Sequence, residues 1–302
     1  MKIGLLGWDY SGIDPDSVNL VDFGRERGHE MSLFTLEEID YQPGGDTGFA
    51  LSLRGEPAES FDAVISRGKL YGDDFRDRIE RLTLLSNVPG LRIFDPAEAW
   101  LAGDSKFRTT QLLAAHGLPV PPTRSVRSFE ELEAACAEWG TVILKATFGF
   151  AGDGVERIVD PVADKAVVER LLASHPTLLC QPFYPTEGGE YRITVAGDAT
   201  PINILKLPAP GNWQCRTTMG ATFERLDAPE ELVDIAVRAT RAMGLTLAGL
   251  DILPAPDGYV ILEVNPVPGF LNILGREQHR QVLAGVFDWV ERACAEGADG
   301  AA

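Results

Sequence analysis

The segment LAGLDILPAPDGYVILEVNPVPG, residues 247–269, is almost wholly apolar, yet it carries Asp251, Glu263 and Asn265. The turn-forming APDG between two apolar runs predicts a β-hairpin. Residues two apart on a strand point to one face, so Glu263 and Asn265 share a face, and Asp251 on the partner strand can share it across the pair. Oxygen-bearing side chains gathered among apolar neighbours are costly unless a cation offsets their charge. Hard oxygen donors of this kind suit Mg²⁺, which usually keeps phosphate oxygens and waters as further ligands. A solvated strand face ending in an ordinary Asn265-Pro266 turn is the alternative; the apolar residues around the acids weigh toward the cation.

A second hairpin precedes this one. EYRITV, AGDAT and PINILKL span residues 190–207, and a helix over 229–244 separates the two hairpins. Arg192 follows Glu190 by two on the apolar strand, and Arg216 lies in the polar loop NWQCRTTMGA. Guanidinium groups form paired hydrogen bonds to phosphate and carboxylate. The competing reading is a surface Glu190–Arg192 ion pair contributing only ~0–1 kcal/mol.

Further back, TVILKATFGFAGDGV places Lys145 at the end of a buried-type strand, followed at once by Gly149, Gly152 and Gly154. Such glycines let backbone N–H groups approach an anion, and a lysine beside them makes a phosphate cradle. A hairpin turn with an outward-pointing lysine fits the same residues. The spacing is neither GxxxxGK[ST] nor GxGxxG opening a helix, because VERIV is strand-like. The rest of 119–184 alternates strands with helices, one of which opens on a Ser128-x-x-Glu131 capping pattern and another of which is predicted over 161–173. Residues 1–95 alternate strand and helix, which predicts a parallel sheet covered on both faces, interrupted by a glycine- and proline-rich loop or short hairpin over 42–60. A helical link leads through LPVPPT into the middle of the chain. A closing helix is predicted over 277–295, before a small polar tail.

Composition narrows the function. The 302 residues carry 45 acidic and 27 basic side chains, a net charge of −18, without the basic stripe of a duplex nucleic-acid binder or a polybasic membrane anchor. The first apolar run is too short for a signal-peptide core, and no run reaches the ~18 apolar residues of a membrane span, so a cytoplasmic protein is expected. The four cysteines are far apart, which suggests neither disulfides nor a zinc site. The four histidines do not cluster, and the tryptophans read as packing residues, with Trp213 the exception to watch. Only six lysines occur, Lys2, Lys69, Lys106, Lys145, Lys165 and Lys206, so a site-facing lysine stands out.

Taken in order, DAVISR, GDSKFRTTQLLAAHGLPVPPT, VILKATFGFAGDGV, LCQPFY, EYRITVAGD and GLDIL…LEVNPVPG resemble the motifs of the ATP-grasp ligases, in particular the RimK-like carboxylate–amine (peptide) ligases, over about residues 61–274. The resemblance implies an α/β fold. Residues 1–100 would form a Rossmann-like pre-ATP-grasp substrate domain. Residues 101–184 would form a central lobe with the glycine loop, 185–295 a C-terminal lobe with the metal site, and 296–302 a tail. It implies ATP and Mg²⁺, or Mn²⁺ in its place, and a carboxylate and an amine as substrates, with an amino acid or peptide the expected class. It also implies an amide made through an acylphosphate, with release of ADP and phosphate. Neither nucleic acid nor membrane is an expected partner, and a homo-oligomer is compatible with the family. Lys106 and Lys145 would contact the α/β-phosphates, with Gly149, Gly152 and Gly154 in the loop above them. Gln181, Pro182, Phe183 and Tyr184 would line the adenine pocket, Glu190 would accept from the ribose, and Arg192 and Arg216 would bind the γ-phosphate or acylphosphate. Lys145, Arg192 and Arg216 would thus serve catalysis; Asp251, Glu263 and Asn265 would hold the metal, and Arg67 would face the acceptor carboxylate. Three departures bear on the acceptor: Pro182 stands in place of an acidic residue, Thr218 in place of Asn, and the glycine loop carries Phe148, Phe150 and Asp153. A nucleotide-binding sensor or scaffold that has lost ligase activity is the alternative; the intact acid set and both lysines speak against it.

Overall fold

Alternating apolar runs and helix caps build the N-terminal part of the chain. The computed structural model describes residues 1–7, 14–44, 50–68, 70, 74–148, 154–270 and 275–299. Strand β1 (Lys2–Leu6) is followed by helix α1 (Pro15–Glu26), whose cap Asp14 accepts from the N–H groups of Asp16 and Ser17 and whose first residue is proline. Then come β2 (Glu30–Phe34), β3 (Ile39–Gln42), β4 (Ala50–Leu53), β5 (Glu56–Pro57), β6 (Ala63–Ser66), α2 (Phe75–Ser86) and β7 (Arg92–Phe94). The parallel sheet has the order β2-β1-β6-β7. The stretch expected to be a loop or short hairpin contributes to a small antiparallel sheet, β3-β4-β5.

Helices α3 (Ala97–Asp104) and α4 (Lys106–Ala115) lead to a middle lobe of β8 (Arg124–Val126), α5 (Phe129–Trp139), β9 (Val142–Ala146), β10 (Val155–Ile158), α6 (Lys165–Ser174) and β11 (Leu178–Pro182). Its antiparallel sheet, β10-β9-β11-β8, packs Val126, Val142, Leu144 and Leu178 against Leu132 of α5 and Val168 of α6. Ser128 caps α5 as predicted, accepting from Glu131 N–H, while the Glu131 carboxylate reaches back to Arg127 N–H at 2.6 Å. Helix α6 starts four residues later than predicted. Asp160 accepts from Val162 N–H and Asp164 from Val159 N–H, and these side-chain bonds hold the Asp-Pro segment in a turn.

The C-terminal lobe contains β12 (Glu190–Ala196), β13 (Ala199–Leu207), β14 (Thr222–Arg225), α7 (Glu230–Ala242), β15 (Leu247–Ala255), β16 (Gly258–Asn265) and α8 (Arg276–Asp299). Both predicted hairpins form, in a sheet of order β14-β13-β12-β15-β16. Its apolar face, with Ile193, Val195, Leu250, Ile252, Ile261 and Val264, packs on Leu232, Ile235 and Ala239 of α7. No helix among the described residues is long and apolar enough to cross a membrane.

Helix α8 joins the first lobe to the last. Its Val282, Val286, Phe287 and Val290 share one core with Ile3 and Leu5 of β1, with Leu20 and Phe23 of α1, and with Ile202, Ile204 and Leu247 of the C-terminal sheet. The approach depends on two glycines. A Cβ on Gly285 would lie 2.8 Å from the Ala196 carbonyl oxygen, and one on Gly197, at φ +62°, would lie 2.8 Å from Trp289 Cβ. Because backbone cannot yield as a side chain can, Gly285→Val is expected to destabilise the protein by ~1–3 kcal/mol, read as a lowered urea midpoint; a wild-type midpoint would contradict this packing.

Candidate active site

The sheet of the C-terminal lobe turns its second face toward a cleft of about 750 Å³, within the ~300–1,000 Å³ common for ligand sites. Strand periodicity fills that face. In β13 and β12, Lys206 stands opposite Glu190 and Ile204 opposite Arg192. Arg192 in turn faces Asp251 of β15, Asp251 faces Glu263 of β16, and Asn265 faces Gly249. A β-bulge just after Asp251 breaks the alternation, so that both Leu262 and Glu263 line the cleft while Ile261 and Val264 stay in the core. Bulges of this sort re-aim side chains beside functional sites.

Electrostatics tie the face together. Lys206 Nζ lies 2.9 Å from Asp251 Oδ1 and also pairs with Glu190; Arg192 Nη1 lies 3.1 Å from the same Asp251 oxygen. Burial alone would raise the Asp251 pKa, but the Arg192 and Lys206 charges outweigh it and hold the carboxyl below its usual range. Glu190 is raised, first by burial and then by the Asp251 charge. Asn265 Nδ2 donates to Gly249 O at 3.1 Å, which leaves its Oδ1 as the acceptor, and Arg192 Nη1 donates to the same carbonyl at 3.3 Å. Two carboxylates and an amide oxygen on adjacent strands form a hard-oxygen set that fits Mg²⁺.

The opposite wall comes from the middle lobe and α4. Lys145, on β9, is pushed down to about 8 by burial and by the neighbouring Lys106 charge, partly offset by Glu263, Glu190 and Asp251. Lys106 begins α4, and its N–H donates to Thr147 O at 3.1 Å, which fixes α4 to the end of β9. Five basic side chains, Lys106, Lys145, Arg192, Lys206 and Arg216, therefore line one cleft in a chain of net charge −18. Gly154, at φ +66°, accepts at its carbonyl from Ala146 N–H and closes the β9–β10 turn; Gly149 and Gly152 lie outside the described residues.

Ile143, Val155, Pro182, Phe183, Tyr184, Trp213, Leu253 and Leu262 give the cleft an apolar end. Phe183 N–H donates to Thr141 O at 2.9 Å, making that an in-register bonded pair. Pairs alternate along an antiparallel ladder, so Pro182 opposite Val142 needs no N–H. Its carbonyl lies beyond the end of β8, which pairs only as far as Cys180. Gln181 lines the cleft, but its side-chain amide donates away from it, to Thr123 Oγ1. Trp213 meets Phe183 edge-to-face, with ring centroids 6.0 Å apart, and the Arg157 guanidinium lies over both rings. Cys215, also in the lining, has its thiol pushed up to about 11 by burial, which makes it a poor nucleophile.

Arg67 is placed differently from its neighbours in the motif set. It is 3% exposed, donates to Asp14 Oδ2 at 3.1 Å and to Pro268 O at 3.3 Å, and so meets a carboxylate of the protein itself. Sequence reading missed Lys206, whose rarity as a lysine and even spacing opposite Glu190 were the available signal. It also missed Asp14 and Asp16, which reach the cleft wall only through contacts far apart in sequence.

A family model described as the RimK-like ATP-grasp domain matches residues 103–284. A probable alpha-L-glutamate ligase of Xanthomonas euvesicatoria pv. vesicatoria is 30% identical over 259 residues, 85% of this chain and 86% of that protein. Among solved structures, a RimK domain ATP-grasp protein from Sphaerobacter thermophilus has a TM-score of 0.69 at 23% identity, covering 96% of this chain and 99% of its own. The ATP-grasp ligase PsnB, in complex with a minimal precursor, Mg and ADP, also has a TM-score of 0.69, at 22% identity, covering 94% of this chain and 97% of its own. With the acid set, the basic cleft and the three-lobed fold in place, the chain belongs to the RimK-like ATP-grasp family and is an ATP-dependent carboxylate–amine ligase.

Proposed function

We propose that ATP lies with its adenine at the Pro182–Tyr184 hinge and its phosphates over the face of β12, β13, β15 and β16, and that L-glutamate is one of the two compounds joined. The observation that carries the reading is the convergence of Lys206, Glu190, Arg192, Asp251, Glu263 and Asn265 on one sheet face opposite Lys106 and Lys145. The name borne by the Xanthomonas relative supports the choice of glutamate. On this reading residues 1–100 bind substrate, 101–184 cover the nucleotide and 185–295 supply the metal and phosphate ligands; the tail expected from residue 296 is helical at its start, because α8 runs on to Asp299.

In the first step a substrate carboxylate oxygen attacks the γ-phosphorus, the bond to the β-phosphate oxygen breaks, and ADP leaves an acylphosphate. In the second an amine nitrogen attacks the acyl carbon, phosphate departs, and the nitrogen loses a proton to give the amide. The protein's contribution is position and charge. Lys106 and Lys145 offset the α/β-phosphate charge. Arg192, Arg216 and Lys206 meet the γ-phosphate and the incoming carboxylate, two anions that repel each other in water. Glu190 accepts from the ribose, and the hinge reads the adenine edge through the Pro182 carbonyl and the Tyr184 N–H. Asp251, Glu263 and Asn265 would hold Mg²⁺, which when bound neutralises triphosphate charge and makes the γ-phosphorus more electrophilic.

Incubation of the protein with ATP, Mg²⁺ and each of the amino acids in pairs, followed by mass spectrometry, is expected to show ADP release and an amide product only in mixtures that contain L-glutamate. A product from a mixture without L-glutamate, or none from any mixture with it, would overturn the substrate assignment. Lys145→Ala and Glu263→Ala are each expected to lower amine-dependent ADP release by ~100-fold or more, with thermal melts close to wild type. An unchanged rate in either variant removes that residue from the machinery. Because Lys145 loses its proton near pH 8, the cleft carries one positive charge fewer above that pH. Nucleotide affinity measured from pH 7 to 9 is therefore expected to fall as pH rises; a flat profile would contradict a phosphate role for this lysine.

A further inference from the structure

The N-terminal wall of the cleft holds two carboxylates that ATP and metal leave unused. Asp14 and Asp16 both line the cleft, at 7% and 3% exposure. Asp14 is fully engaged: Oδ1 accepts from Asp16 N–H, and Oδ2 accepts from Ser17 N–H, from Ser17 Oγ at 2.9 Å and from Arg67. Burial pulls its pKa upward, but Arg67 and Ser17 outweigh this and keep it ionised. Asp16 is only half engaged. Its Oδ2 accepts from Phe270 N–H at 2.9 Å, with Arg67 Nη2 at 3.8 Å, whereas its Oδ1 is buried and has no donor among the described residues.

A buried carboxylate oxygen without a donor is destabilising, and proteins rarely keep one without a use. Two more polar atoms of the same corner are buried without partners among the described residues, Arg67 Nη1 and His279 Nε2. Both residues pack on Phe270, the guanidinium 5.2 Å and the imidazole 5.4 Å from its ring centre. The corner adjoins the γ-phosphate end of the cleft. A Cβ on Gly249 would lie 3.0 Å from Pro268 and 3.3 Å from the Arg192 guanidinium, so the segment that carries Phe270 runs beside Arg192. Elsewhere in the cleft the basic groups favour anions; here an acceptor waits for an N–H donor, with unpartnered groups nearby for a carboxylate.

We infer that Asp16 is the subsite for the amine substrate: its Oδ1 accepts from the amino group of an α-amino acid, holding the nitrogen beside the acyl group that forms near Arg192. The inference rests on the ligase reading above and adds to it which end of the cleft receives the nucleophile. An uncharged amine without a carboxylate has little to gain there, whereas an α-amino acid offers both a donor and acceptors.

Asp16→Asn tests this, because Phe270 N–H keeps one carbonyl-type oxygen in place and so directs an NH₂ donor to where Oδ1 was. Wild type and variant are supplied with ATP, Mg²⁺ and L-glutamate, with either hydroxylamine or L-glutamate itself as nucleophile. The ratio of glutamyl-glutamate to glutamyl hydroxamate is expected to fall by ~10-fold or more in the variant, while the thermal shift produced by AMP-PNP shows that the fold persists. An unchanged ratio overturns the subsite. Failure of the glutamate reading looks different, since the wild type then makes neither product. Calorimetry on AMP-PNP- and Mg²⁺-loaded protein judges the subsite without turnover. The wild type is expected to bind L-glutamate ~10-fold more tightly than N-acetyl-L-glutamate and the variant to lose that preference; equal binding, or none of either, by the wild type overturns it.

Discussion

The Asp251 carboxylate is held between two cations on neighbouring strands, Lys206 at 2.9 Å and Arg192 at 3.1 Å. So many charges on one half-buried sheet face are tolerable only because each sign meets the other. The ion pairs keep Asp251 ionised in spite of its burial. On the proposed reading they also store the groups that phosphoryl transfer would need. Asp251 would then exchange its cationic partners for a divalent ion when a triphosphate and its metal enter, and Lys206 and Arg192 would turn to phosphate oxygens. The resting network is in this sense an internal stand-in for the substrate, which lets a cleft with five cations and as many acids fold in its absence.

That network needs strand register, and register needs the rest of the fold. On β12 and β15 the α7 side of the sheet is apolar at alternate positions, Ile193 and Val195, Leu250 and Ile252, and a slip by one residue would exchange it with the charged face. The bulge after Asp251 then brings Glu263 back to the cleft side without disturbing Val264. Helix α8, through the close Gly285–Ala196 approach, fixes the N-terminal sheet against the same lobe. This is what brings Asp14, Asp16 and Arg67 up to the Pro266–Phe270 segment, with Asp16 and Phe270 joined across 254 positions of sequence.

Much of this was legible in the residues. The even spacing of Glu263 and Asn265, and of Glu190 and Arg192, predicted a shared face, because a strand's period is fixed by its backbone. The parallel N-terminal sheet followed from its strand–helix alternation. What the sequence did not show depends on contacts between distant segments. Lys206 reads as one polar residue in PINILKL until β13 is laid beside β12. Strand β14, TFER, is exposed along its length and has no apolar pattern to announce it. Gln181 belongs to the hinge motif, yet its side chain satisfies Thr123 instead, a partner 58 positions away. Arg67 was expected to face the acceptor carboxylate; the carboxylate it meets in the structure is that of Asp14, 53 positions away, which caps α1.

The most direct test of the ion-pair exchange is a crystal structure of the protein with AMP-PNP and Mg²⁺. The account predicts that the metal lies on Asp251, Glu263 and Asn265 while Lys206 and Arg192 have left Asp251 for the terminal phosphate, with Lys106 and Lys145 on the inner phosphates. A bound nucleotide that leaves both Asp251 ion pairs intact, or that lies away from this strand face, would contradict it.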